Sequence, residues 1–172
     1  MEARFFVPQN DGIILYSRPE TELRYNHRMP NHTETRILPY TPDQMFDLVS
    51  DIARYPEFLP WCTQARIIRR EGDTILAELT IGYKMFREKF TSRVHLDPKA
   101  KTIQVAYVSG PLKYLRNEWQ FHKAPKKQTK VDFFVHFEFS NPILSGLMNM
   151  FFDVAFRQMV SAFEKRAADI YS

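Results

Sequence analysis

Asn141 to Tyr171, NPILSGLMNMFFDVAFRQMVSAFEKRAADIY, is the one long uninterrupted segment of this chain that carries apolar residues at helical spacing. Asn141 is a favoured N-cap residue and Pro142 falls at the first helical position, where a missing N–H costs nothing, so a helix is predicted over 142–171. Met148, Phe152, Phe156, Met159, Phe163, Ala167 and Ile170 recur at steps of three and four, the pattern of a face buried against a sheet. A second stripe, Ile143, Leu147, Met150 and Val154, runs along nearly the opposite side in the first half only; Asp153, Arg157, Glu164 and Lys165 take that side later. The helix is therefore apolar all round where it begins. Either neighbouring elements bury the second stripe, or it is an interface to a membrane or to a second subunit.

Upstream of this helix the period changes to two. The runs 65–70, 74–82, 86–96, 102–108, 113–122 and 130–139 read as six strands, parted by Glu71-Gly72-Asp73, by a break near Tyr83–Met85, and by Asp97-Pro98-Lys99, Ser109-Gly110-Pro111 and Ala124-Pro125-Lys126-Lys127. Connections this short allow only antiparallel neighbours. In the last strand Val131, Phe133, Val135, Phe137 and Phe139 face one way and Asp132, Phe134, His136 and Glu138 the other. Leu115, Trp119 and Phe121 share an apolar face with Asn117; Phe86, Phe90, Val94 and Leu96 share one with Glu88. The long helix lies across that apolar face, and large aromatics meeting flexible methionines there suggest an elongated cavity.

Before the strands, Thr41-Pro42-Asp43-Gln44 is a capping box with proline at the first helical position, opening a short helix that ends near Arg54. Glu34 to Leu38 is a weaker strand, the seventh. Between helix and sheet, Tyr55-Pro56-Glu57-Phe58-Leu59-Pro60-Trp61-Cys62 gathers four large apolar side chains, Tyr55, Phe58, Leu59 and Trp61, around two prolines, which forbid a long helix. The segment is either a plug closing one end of the core or a ligand lining.

The 172 residues suit one domain with a real core, 29–172, preceded by an extension, 1–28, expected to be poorly ordered. The extension has the marks of neither a signal peptide nor a transit peptide. A single cysteine, Cys62, excludes an internal disulfide. The net charge of +4 comes from basic residues spread among acidic ones along the chain, a balance that does not call for nucleic acid and that permits weak attraction to an anionic membrane surface. The uncharged run Asn141–Phe152 is 12 residues long, short of the roughly 20 that a membrane span needs.

No nucleophile elbow, phosphate loop or dinucleotide fingerprint is present, and five glycines leave little material for one. His95, His122 and His136 read as solvent-facing strand residues; no metal site and no catalytic residue is assigned. Glu88 and Asn117 each interrupt an apolar face, where an unsatisfied polar group costs about 1–3 kcal/mol. Each requires either a structural hydrogen bond or the head group of a ligand.

The segment Tyr55–Cys62, the strand Gly82–Val94 (GYKMFREKFTSRV) and Val131–Phe139 (VDFFVHFEF) together resemble the coenzyme Q-binding protein family of the START-like, helix-grip lipid-binding superfamily, whose bacterial members have also been described as a ribosome-association toxin. The resemblance runs from about Asn31 to the C-terminus. It implies an α+β fold in which a seven-stranded antiparallel sheet wraps round the C-terminal helix, and a hydrophobic tunnel for ubiquinone or a similar isoprenoid lipid. It further implies a carrier or chaperone role in respiration or quinone biosynthesis, without catalysis or a resident cofactor. Transient contact with a membrane surface follows, in the bacterial cytoplasm beside the inner membrane, or at the mitochondrial inner membrane in a eukaryote. On this fold the expected ligand contacts are Tyr55, Phe58, Leu59 and Trp61; Phe86, Glu88 and Phe90; Asn117 and Trp119; Phe133 and Phe137; and Met148, Phe152 and Phe156. A ribosome-bound regulator and a cyclase-type enzyme are the alternatives.

Overall fold

The computed structural model describes residues 31–83 and 86–171, without the side chains of Tyr83, Leu147, Met148 and Asn149. The predicted extension lies outside these residues, as do the Leu147 and Met148 side chains of the two helical stripes. In chain order the elements are β1 (Asn31–Leu38), α1 (Pro42–Ser50), a 3-10 helix (Ile52–Glu57), β2 (Cys62–Glu71), β3 (Thr74–Tyr83), β4 (Phe86–Asp97), β5 (Thr102–Ser109), β6 (Leu112–Ala124), a short 3-10 turn (Pro125–Lys127), β7 (Gln128–Phe139) and α2 (Pro142–Tyr171).

All seven strands join one antiparallel sheet in the order β1-β7-β6-β5-β4-β3-β2. The strands predicted from alternation are present and α2 has the predicted bounds. β1 starts at Asn31, before the expected Glu34, because its pairing with β7 continues to His136. The helix expected to reach Arg54 stops at Ser50, and 52–57 tightens into a 3-10 helix that contains Pro56. A proline there offers no N–H and crowds the preceding turn, so an α-helix cannot continue through it. The predicted capping box forms: Gln44 N donates to Thr41 Oγ1 at 3.3 Å and Thr41 N to Gln44 Oε1 at 2.8 Å. At the start of α2, Ile143 N donates to Asn141 Oδ1 at 2.8 Å.

The register sets one face of the sheet against α2. Ile103, Trp119, Phe133 and Glu34 stand side by side on β5, β6, β7 and β1, with Val131, Phe121 and Arg36 in the next row. Across this inner face the rings of α2 meet the sheet: Phe156 on Phe133 at 5.3 Å, Phe163 on Trp119 at 5.5 Å and Phe152 on Phe137 at 5.7 Å between centroids.

Burial along this face is uneven. At the end where α1 and the second half of α2 cover the sheet, Met45, Val49, Ile75, Val94, Leu96, Ile103, Phe121, Val131, Phe163 and Ala167 are buried in one cluster. Towards the end where α2 begins, the inner-face residues Phe90, Val105, Leu115, Val135, Phe137 and Phe139 are only half-buried. Gly110 closes the β5–β6 turn at this end with φ +131°, and a Cβ there would meet the Phe90 backbone and Cβ and the Lys89 carbonyl at 2.7–2.8 Å, so only glycine fits. The molecule thus has a packed end and an open end.

Candidate functional site

The proline-bracketed segment divides between the two roles open to it. Leu59 is 3% exposed and belongs to the core cluster, as the plug requires. Tyr55 likewise serves the fold: its hydroxyl donates to the Val49 carbonyl at 2.6 Å, its ring meets Phe58 and Phe163 edge-on, and burial holds its phenol far above the usual range. Phe58 is half-buried beneath the Arg166 guanidinium, 5.5 Å from the ring centre. Trp61 differs from these, because its Nε1 is buried with no hydrogen-bond partner among the described residues. Such a donor carries a cost of about 1–3 kcal/mol, which an acceptor brought by a ligand would remove. Next to it, burial pushes the Cys62 thiol up to about 11, so the sulfur stays protonated and unreactive at neutral pH.

Between sheet and α2 lies an apolar cavity of about 40 Å³, lined among others by Trp119, Phe133, Phe156, Met159, Glu34 and Arg36. That is room for a few waters at most, whereas a small-molecule site holds roughly 300–1,000 Å³. The elongated cavity expected from the sequence is therefore not open at this point, because Trp119 meets Phe133 and Phe163 edge-on and Phe156 lies against Phe133, filling the space. A groove of about 350 Å³ between α1, the 3-10 segment and the end of α2 mixes charged residues (Asp47, Asp51, Arg54, Arg166) with apolar ones (Leu48, Phe58, Ile170) and Tyr171.

The remaining expected contacts gather at the open end. Phe86 is 40% exposed, Glu88 and Phe90 are half-buried on the same face of β4, and Phe137 and Phe152 sit opposite each other. Asn117 is engaged within the protein: Trp119 Nε1 donates to its Oδ1 at 2.9 Å and its Nδ2 donates to the Phe134 carbonyl at 3.2 Å. The structural hydrogen bond thus describes Asn117, while Glu88 has no hydrogen-bond or ion-pair partner among the described residues. On α2, Ile143 is 70%, Met150 72% and Val154 44% exposed, so nothing among the described residues covers these members of the second stripe.

A polar row went unnoticed in the sequence. His32, Glu34 and Arg36 on β1 share the inner face, and Glu34 accepts from both neighbours: His32 Nε2 lies 3.0 Å from its Oε2, and Arg36 Nε donates to its Oε1. The His32 ring also lies against Phe156, with centroids 3.6 Å apart and the planes tilted by 38°. Alternation placed Glu34 and Arg36 on one side of a strand, but nothing in so polar a run said that this side faced inwards. Among the described residues no cluster of side chains is placed to hold a metal ion, and no helix is long and apolar enough to cross a membrane.

Residues 38–164 match the family model described as polyketide cyclase / dehydrase and lipid transport. The ribosome association toxin RatA of Rickettsia prowazekii is 41% identical over 147 residues, covering 83% of this chain and 99% of that protein. The mitochondrial coenzyme Q-binding protein COQ10 homolog B of Xenopus laevis is 32% identical over 144 residues, covering 81% of this chain and 59% of that one. Among solved structures, a START superfamily protein of Mycobacterium smegmatis superposes with a TM-score of 0.71 at 15% identity, covering 81% of this chain and 98% of that one, a likeness of fold alone.

Proposed function

This chain belongs to the polyketide cyclase / dehydrase and lipid transport family, and from that premise we propose that it binds ubiquinone or a similar isoprenoid lipid and carries or chaperones it beside a membrane. The observation behind this reading is the open end, where half-buried Phe90, Leu115, Phe137 and Phe152 form an apolar wall that the first half of α2 leaves incompletely covered. At ~0.8 kcal/mol per buried CH₂, each five-carbon unit contributes roughly 3–4 kcal/mol gross, so a few units along this wall bind tightly after ordering costs. The first half of α2 moves aside to admit them, since the present cavity is too small. His32, Glu34 and Arg36 supply hydrogen bonds for a polar head. Ile143, Met150 and Val154 meet the bilayer from which the lipid is taken, at the inner membrane of a bacterium. Binding alone accounts for this arrangement, and no reaction is assigned.

Mass spectrometry of an organic extract of the purified full chain tests the reading, with an isoprenoid quinone as the expected finding. Titration with a short-chain ubiquinone should in addition quench tryptophan fluorescence, most of it lost in Trp119→Phe. An extract without isoprenoid lipid together with unquenched fluorescence would sink the proposal. A second reading, a ribosome-bound regulator, is favoured by the RatA relative; it predicts that the purified chain shifts the association of ribosomal subunits.

A further inference from the structure

The outer face of the sheet, turned away from α2, is divided by charge. On β6 and β7 the side chains on this face include Lys113, Arg116 and Lys130 against Glu118, Asp132 and Glu138, three of each sign. They neutralise one another in pairs: Arg116–Glu118 at 2.7 Å, Lys113–Glu138 at 2.9 Å and Lys130–Asp132 at 2.9 Å. β5 adds only Thr102, Gln104 and Ala106. On β2, β3 and β4 the outward positions carry Arg66, Arg69, Arg87, Lys89 and Arg93 against Glu71, Glu78 and Asp97, five less three, a net +2. Here pairing is incomplete. Glu78 is shared by Arg66 and Lys89, each at 3.3 Å, Glu71 takes Arg69, and Arg87 and Arg93 have no ion-pair partner among the described residues.

In the sequence these cations are dispersed over residues 66–93 among acidic neighbours, which hides them. Strand pairing collects them. Arg69 stands opposite Leu76, and Leu76 opposite Arg93, so the backbones of the two arginines lie two strands apart, about 10 Å, while Arg87 and Lys89 follow along β4 at a two-residue step of about 6.6 Å. Four of the five cations are arginines, whose planar forks suit phosphate oxygens better than a lysine ammonium does. At the bulge of the edge strand β2, between Ile67 and Arg69, Ile68 is 44% exposed and offers apolar contact to sugars or bases.

We propose that this half of the outer face binds the phosphate backbone of RNA. The contact reads charge and shape, not sequence. It shares no residue with the inner-face lipid site and stands or falls without it. An anionic bilayer fits the surface less well: Ile143 and Met150 belong to α2 on the opposite side of the sheet, so a membrane against the outer face would leave them in water.

A fluorescein-labelled RNA hairpin titrated with the full chain across a salt series, read by anisotropy, tests this. For the unmodified chain the logarithm of the affinity should fall with the logarithm of salt by roughly 0.9 per phosphate contacted. Arg87→Gln with Arg93→Gln strands no carboxylate; it should weaken binding at least tenfold at low salt and flatten the slope by about two. Arg116→Gln with Lys130→Gln removes the same charge from the neutral half and should cost less than threefold. No RNA binding by the unmodified chain at low salt, equal binding by the first variant, or equal losses in both variants would overturn the proposal. So would a first variant that loses phosphatidylglycerol vesicles while keeping RNA. Matched melting curves establish that both variants are folded.

Discussion

Cys62, 3% exposed at the start of β2, makes the stability of this protein sensitive to alkali. Burial raises its thiol from the usual 9.0 to about 11, so above pH 9 the unfolded chain releases a proton that the folded chain keeps. Stability is then full below about pH 9 and falls by up to about 1.4 kcal/mol per pH unit towards 11, and Tyr55, held higher still by burial, prolongs the decline. Urea midpoints measured from pH 8 to 11 should show this slope, and Cys62→Ala should lessen its first part; midpoints that stay flat would mean a more accessible thiol. Single residues were also where the sequence was hardest to read. Phe58, Leu59 and Trp61 sit within four positions of one another, yet one lies under an arginine, one in the core, and one presents an orphan donor. The two prolines announce a constrained turn without saying which way each side chain leaves it.

The elements were more legible, because periodicity and caps are local. Thr41 and Gln44 mark the start of α1, Asn141 and Pro142 that of α2, and each forms the cap its residue types favour. β1 resisted the same reading: it is an edge strand whose inner face carries His32, Glu34 and Arg36, against the rule that inner faces are apolar. The second stripe of α2 was visible as a pattern, and its exposure supplies what pattern alone could not. Ile143→Ser with Met150→Ser should leave unfolding free energy unchanged within about 0.5 kcal/mol, since both side chains already meet solvent, while reducing flotation with liposomes several-fold. A large drop in stability would show that the stripe is packed, and unchanged flotation would move the membrane contact elsewhere. Conversion of a dimer to a monomer in sedimentation would assign the stripe to a second subunit.

At the level of the whole molecule, the sequence disclosed the antiparallel sheet and its helix because short turns leave strands few choices of neighbour. The charge division of the outer face was not legible, since it depends on which residues become neighbours across strands. Neither was the uneven filling of the inner face, which depends on how far α1 reaches along it. That unevenness has a kinetic consequence. Where Phe163 and Ala167 are buried, amide protons of α2 should exchange with deuterium only when the entire fold opens; between Leu144 and Val154 the same helix should exchange through frequent local fraying. Exchange read by mass spectrometry after peptic digestion should split α2 into a slow half and a fast half, and uniform protection along its length would refute this. A helix that frays from its start while its end stays anchored behaves as a latch on a fixed hinge, able to open many times within the lifetime of one folded molecule.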